Sequence, residues 1–96
     1  MIESKIKTLE EKGFKRWTKG NIDRLYINAS QLGLNCTKYN TGNIRSATFQ
    51  GVGISNCHAR KMYAAKTYID LKTEKVVSDD DMLARAAAEL AGIDEG

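Results

Sequence analysis

Ninety-six residues, 42% of them apolar, suffice for one hydrophobic core and leave no room for a second, so a single globular domain over 1–96 is expected. Two cysteines are too few for a disulfide scaffold, no apolar run approaches the ~20 residues of a membrane span, and MIESKIKTLEEK carries no signal-peptide h-region. The net charge of +3 hides an asymmetry: residues 1–78 carry 14 Lys/Arg against 6 Asp/Glu, whereas residues 79–96 carry Arg85 against Asp79, Asp80, Asp81, Glu89, Asp94 and Glu95.

A cytoplasmic protein with reduced thiols is therefore expected, with one Cys36–Cys57 bridge left open as the alternative. The basic body favours a polyanionic partner or an acidic protein surface, weighed equally against ordinary solvated charge. Whether the acidic end folds back over the basic surface stays open at this level.

Ile2, Ile6 and Leu9 recur at helical spacing and Gly13 supplies a stop, predicting an amphipathic helix over 2–12. GFKRWTKGNIDRLYINA then reads as a β-hairpin around Gly20-Asn21, a two-residue loop with glycine first. That loop pairs Lys19 with Ile22, Trp17 with Arg24, Lys15 with Tyr26 and Phe14 with Ile27. Alternation puts Phe14, Arg16, Thr18, Asp23, Leu25 and Ile27 on one face and Lys15, Trp17, Lys19, Ile22, Arg24 and Tyr26 on the other. A one-residue slip would oppose Arg16 to Arg24, an unfavourable pair.

Ser30 to Gly33 reads as a turn, and LNCTKY and IRSATFQ form a second hairpin around residues 40–43. Pairing Tyr39 with Ile44 gives Leu34, Cys36, Ala47 and Phe49 one apolar face and sets Lys38 opposite Arg45. The stretch 44–71 reads as strand, glycine turn, short helix and strand. Gly51-Val52-Gly53 is the turn and Ser55 the N-cap. Ala59, Met62 and Tyr63 form the inward stripe of that helix, with Arg60 and Lys61 outward. Thr67, Ile69 and Leu71 share a strand face, and residues 72–74 turn the chain into Val76-Val77. Ser78 and Asp81 fit a capping box for a last helix whose stripe is Leu83, Ala86, Ala87 and Leu90, ended by Gly92.

The basic-aromatic hairpin face is the leading candidate contact surface. Lys15, Trp17, Lys19, Arg24 and Tyr26 combine cations for phosphate with rings for stacking, and Lys38, Arg45, Arg60 and Lys61 extend the basic set. Trp17 packed beneath the first helix would satisfy the same pattern. Gly51 and Gly53 ahead of Ser55 and Asn56 resemble half a phosphate-binding turn. However, Asn56 stands where a dinucleotide fingerprint needs its third glycine, and a bulge or tight connection competes. Cys57 and His58 are neighbours on a helix and diverge by about 100°, which disfavours a nucleophile–base pair. Two cysteines and one histidine leave a zinc site short of ligands. No catalytic residue, metal or cofactor is assigned.

GNIRSA (42–47), GISN (53–56) and KTYIDLKT (66–73) resemble segments of small phage and mobile-element proteins, a group that includes anti-CRISPR inhibitors of host defence. The resemblance spans about a third of the chain and transfers no functional residue. It implies a protein that works by occluding a surface.

The expected fold is α+β, an antiparallel sheet of four to six strands packed by an N-terminal, a central and a C-terminal helix. The expected function is a non-catalytic binding protein of phage or mobile-element type that docks on and inhibits or modulates a protein complex, a nucleic-acid-handling defence complex being the example that the anti-CRISPR resemblance implies. The alternative is a domain that binds nucleic acid directly through the basic-aromatic face. No membrane is expected as a partner.

Overall fold

The computed structural model describes residues 1–93, so Asp94 and Glu95 of the acidic end lie outside the described residues. The chain runs α1 (Glu3–Glu11), β1 (Lys15–Lys19), β2 (Ile22–Tyr26), a 3₁₀ turn (Ala29–Leu32), β3 (Leu34–Lys38) and β4 (Ile44–Phe49). It continues through β5 (Val52–Ile54), α2 (Asn56–Ala64), β6 (Thr67–Asp70), β7 (Lys75–Ser78) and α3 (Asp81–Ala91). The fold is α+β with antiparallel pairing throughout. Its seven strands divide into a four-stranded sheet, β1-β2-β6-β7, and a three-stranded sheet, β3-β4-β5.

The first helix buries Ile6 and Leu9, while Ile2 sits at its N-cap and is 69% exposed, outside the predicted stripe. Its end is a Schellman motif: the Gly13 amide donates to Glu10 O and the Phe14 amide to Leu9 O. Gly13 holds φ +113° there, a value that a side chain would oppose. The last helix closes the same way, with Gly92 and Ile93 donating to Glu89 O and Ala88 O.

In the first hairpin the register is the predicted one, with Lys15 opposite Tyr26, Trp17 opposite Arg24 and Lys19 opposite Ile22. Only Gly20 of the loop takes positive φ, as a glycine-first turn requires. The second hairpin keeps its predicted register from Leu34–Phe49 to Thr37–Ser46. A bulge then sets Lys38 opposite Ile44, so the expected Lys38–Arg45 opposition does not form. The bulge takes two like charges out of direct cross-strand contact.

Residues 51–53 are not simply a turn. Gln50 and Gly51, both at positive φ, make a two-residue hairpin loop, and Val52 to Ile54 pair with β4. Gln50 tolerates its left-handed backbone because it is anchored twice: its amide donates to Gly33 O and its Nε2 to Leu32 O.

Two helix readings also change. Tyr63 is 49% exposed, and Ala59 and Met62 alone of the predicted α2 stripe are buried. Asp80, not Ser78, is the N-cap of α3: its Oδ1 accepts from the Leu83 amide at 3.0 Å, while its Oδ2 lies 2.7 Å from His58 Nε2 on α2. Ser78 Oγ meets Thr67 Oγ1 across the β6–β7 ladder and accepts from the Asp80 amide. One aspartate thus starts α3 and ties it to α2. On α3, Leu83, Ala86, Ala87, Ala88 and Ala91 are buried and Leu90 is half-buried.

The inner face of the four-stranded sheet is apolar and closed. Leu25, Ile27, Thr67, Ile69, Leu71 and Val76 are buried on it, and α3 packs against β6 and β7 from that side. One buried cluster runs from these residues through Leu32, Leu34, Ala47 and Phe49 of the second half. The result is an elongated body of 44 × 25 × 22 Å. No helix among the described residues is long and apolar enough to cross a membrane.

Candidate binding face of the four-stranded sheet

Because partners across a ladder share a face, the registers assign the outer side of this sheet. β1 contributes Lys15, Trp17 and Lys19, β2 contributes Ile22, Arg24 and Tyr26, β6 contributes Tyr68 and Asp70, and β7 contributes Lys75 and Val77. Lys66, just before β6, continues the alternation. Among the described residues no helix covers this side: Trp17 is 44% exposed and Val77 42%, so Trp17 is not a residue packed beneath α1.

The rings form a contiguous row. Trp17 meets Tyr26 edge to face at 6.3 Å, and Tyr26 lies 5.1 Å from Tyr68 at a 44° tilt. Arg24 lies across the row. Its guanidinium carbon is 4.3 Å from the Tyr68 ring centroid, and its Nη1 donates to Tyr26 Oη at 3.2 Å. That hydroxyl, chiefly, favours the charged guanidinium and raises its pKa. Arg24 is therefore seated over the Tyr68 ring and tied to the Tyr26 hydroxyl. A groove of about 570 Å³ runs beside the row, lined by Lys15, Arg16, Trp17, Tyr26 and Lys66.

The charge of the face is one-sided. Lys15, Lys19, Arg24, Lys66 and Lys75 stand against one carboxylate on the face, Asp70, which is the ladder partner of both Arg24 and Lys75. Asp79 adds a carboxylate at the margin, where it accepts from the Lys66 amide at 3.3 Å. The acidic helix α3 packs on the inner side of the sheet, so it does not cover the basic surface.

The hairpin is braced from the inner side. Arg16 donates Nε and Nη2 to the two Asp23 carboxylate oxygens at 3.0 and 2.9 Å, and Nη1 reaches Glu3 of α1 at 3.3 Å. The Arg16 guanidinium, chiefly through these hydrogen bonds, holds the Asp23 carboxyl below the usual carboxylate range. A carboxyl with a lowered folded-state pKa contributes stability that is present above its unfolded value and lost as pH falls through its folded value. Asp23→Asn is therefore expected to be slightly less stable than wild type at neutral pH. The two should converge on acidification below about pH 4, as followed by urea titration at each pH. The effect is small because the pair is open to solvent.

The remaining candidates lie elsewhere. Lys38 and Arg45 belong to the three-stranded sheet, and Arg60 and Lys61 to α2. The structure does not bring these four onto the aromatic face. Gly51 occupies the β4–β5 loop and Gly53 is inside β5 opposite Thr48. Ser55 Oγ accepts from the His58 amide, and Asn56 Nδ2 donates to Ile44 O, so both side chains brace the start of α2. His58 faces Asp80 rather than Cys57; Cys57 is exposed, Cys36 half-buried, and both are free. The Tyr63 hydroxyl, hydrogen-bonded toward Cys36, has its pKa raised by that neighbour. Among the described residues no group of three or more His, Cys, Asp or Glu side chains is arranged to hold a metal ion.

Sequence reasoning missed Tyr68 and Lys66. The alternation that turns Thr67, Ile69 and Leu71 inward also turns Lys66, Tyr68 and Asp70 outward. Their membership of the site rests on β6 pairing with β2, which local pattern does not encode. Comparison with protein-family models, curated proteins and solved structures returns no match to this chain.

Proposed function

We propose that this protein is a non-catalytic binding module whose outer sheet face contacts nucleic acid. One observation carries the reading: an uncovered antiparallel sheet displays a row of rings, Trp17, Tyr26 and Tyr68, bordered by Lys15, Lys19, Arg24 and Lys66. Cations along a strand path and rings beside it are what phosphates and base faces require. Lys38, Arg45, Arg60 and Lys61, on other elements, play at most a long-range electrostatic part in this reading.

The test is fluorescence anisotropy of labelled oligonucleotides, single-stranded and duplex, titrated with the protein between low and physiological salt. With three or four cations on phosphates, log K against log salt is expected to fall with a slope of about −2 to −3 for a single strand. Absence of saturable binding to either form at low salt overturns the reading.

A second reading has its own support. Trp, Tyr and Arg are the residue types that anchor protein interfaces, and exposed Ile22 and Val77 add apolar area on the same face. The likeness of residues 42–47, 53–56 and 66–73 to phage and mobile-element proteins points the same way, toward docking on a complex that handles nucleic acid. In that case the partner binds with weak salt dependence and the oligonucleotides do not bind.

A further inference from the structure

We infer that the face takes a single strand rather than a duplex, reading two adjacent unpaired bases. One base stacks on the Trp17 indole and the next on the Arg24 guanidinium plane; this rests on the nucleic-acid reading above. The argument begins with which planes are open. Tyr68 does not offer its outer face, because Arg24 lies 4.3 Å over its ring. Tyr26 is half-buried between Trp17 and Tyr68 and spends its hydroxyl on Arg24. The planes left to a ligand are thus the half-exposed indole and the guanidinium, which sits over the Tyr68 ring and donates to the Tyr26 hydroxyl. Trp17 and Arg24 are direct ladder partners, so their backbones stand only about 5 Å apart. From that shared register the indole and the guanidinium are reached along one row, through Tyr26 at 6.3 Å from Trp17 and Tyr68 at 5.1 Å from Tyr26, as neighbouring unpaired bases that stack on rings and arginine planes require.

A duplex fits poorly. Its base faces are already stacked, and its major groove, about 12 Å wide, admits a helix or a two-stranded ribbon. Four strands at about 4.8 Å spacing span more than that once side chains are added. Both β2 and β6 are flanked on each side, so the aromatic row cannot be presented as a free ribbon. Lys15 and Lys66, lining the groove beside Trp17, are placed to meet the phosphates of a strand that crosses the row.

Trp17 is the chain's one tryptophan, so intrinsic fluorescence reports on this position alone. Titrating wild-type protein with unlabelled oligothymidylate is expected to quench the emission, and a mixed-sequence duplex of equal length to leave it unchanged. Arg24→Lys keeps the charge and removes the plane. It is expected to lower single-strand affinity about fivefold or more, the loss of one stacked base, with the salt slope unchanged. Far-ultraviolet circular dichroism checks that the variant keeps its sheet, and the wild-type quenching stands as evidence without it. Equal or tighter duplex binding, or full affinity in folded Arg24→Lys, overturns the inference while leaving nucleic-acid binding in place. Anisotropy binding of the single strand without Trp17 quenching likewise overturns only the inference, whereas no saturable binding of either oligonucleotide at low salt overturns the nucleic-acid reading itself.

Discussion

Trp17→Ala is expected to weaken single-strand binding by about one to two orders of magnitude, because base–aromatic stacking is worth about 1–3 kcal/mol per base. The same substitution should leave the protein folded. Trp17 lies on edge strand β1, is 44% exposed, and makes one edge-to-face contact, with Tyr26. Losing that contact is worth about 1 kcal/mol. Anisotropy titration and urea denaturation on the same preparation separate the two effects. Unchanged affinity in a folded Trp17→Ala variant would remove the indole from the binding surface and leave the lysines as a purely electrostatic site.

Leu25→Ala, one residue from Arg24 on the same strand, is expected to do the opposite. Leu25 is fully buried, flanked by Arg16 on β1 and Ile69 on β6, and faces the core. Truncation removes buried carbon and leaves a cavity that a tightly paired sheet cannot close, at a cost of about 2–5 kcal/mol. Against a total stability of about 5–15 kcal/mol for a domain of this kind, that is a large fraction. The urea midpoint should fall sharply, while binding measured on the folded fraction should change little. A loss below about 1 kcal/mol would mean that the inner face is not the packed layer that the burial pattern describes. Together the two variants test whether the faces of β2 divide between stability and contact.

The first hairpin was legible because its information is local. Gly20-Asn21 sets the loop, alternation sets the faces, and the like-charge penalty between Arg16 and Arg24 excludes the neighbouring register. The second hairpin was legible up to the Thr37–Lys38 bulge, where cross-strand repulsion is relieved by a backbone irregularity with no sequence signature of its own. Strand β5 was missed because three residues that include Gly53 carry too little pattern to register as a strand. Ser78 satisfies the capping-box spacing two residues ahead of the true α3 cap. The β6–β7 ladder claims its hydroxyl, and Asp80 caps the helix instead. Ile2, Tyr63 and Leu90 follow helical periodicity yet are not buried, since periodicity marks a face without stating how far the core reaches along it.

The sequence by itself determined the α+β class, the three helices, the register of the first hairpin and the grouping of Lys15, Trp17, Lys19, Arg24 and Tyr26 on one side of it. These are consequences of interactions between residues a few positions apart. Only the tertiary structure decided that the strands form two sheets, that β2 pairs with β6 some forty residues later, and that α3 packs on the inner side. From those choices follow the Trp17–Tyr26–Tyr68 row, the seating of Arg24 on Tyr68, and a basic face left open by the acidic helix. Pairing across that distance is chosen by how the whole apolar layer of Leu25, Ile69, Val76 and Leu83 closes, a collective energy that no single stretch of chain contains.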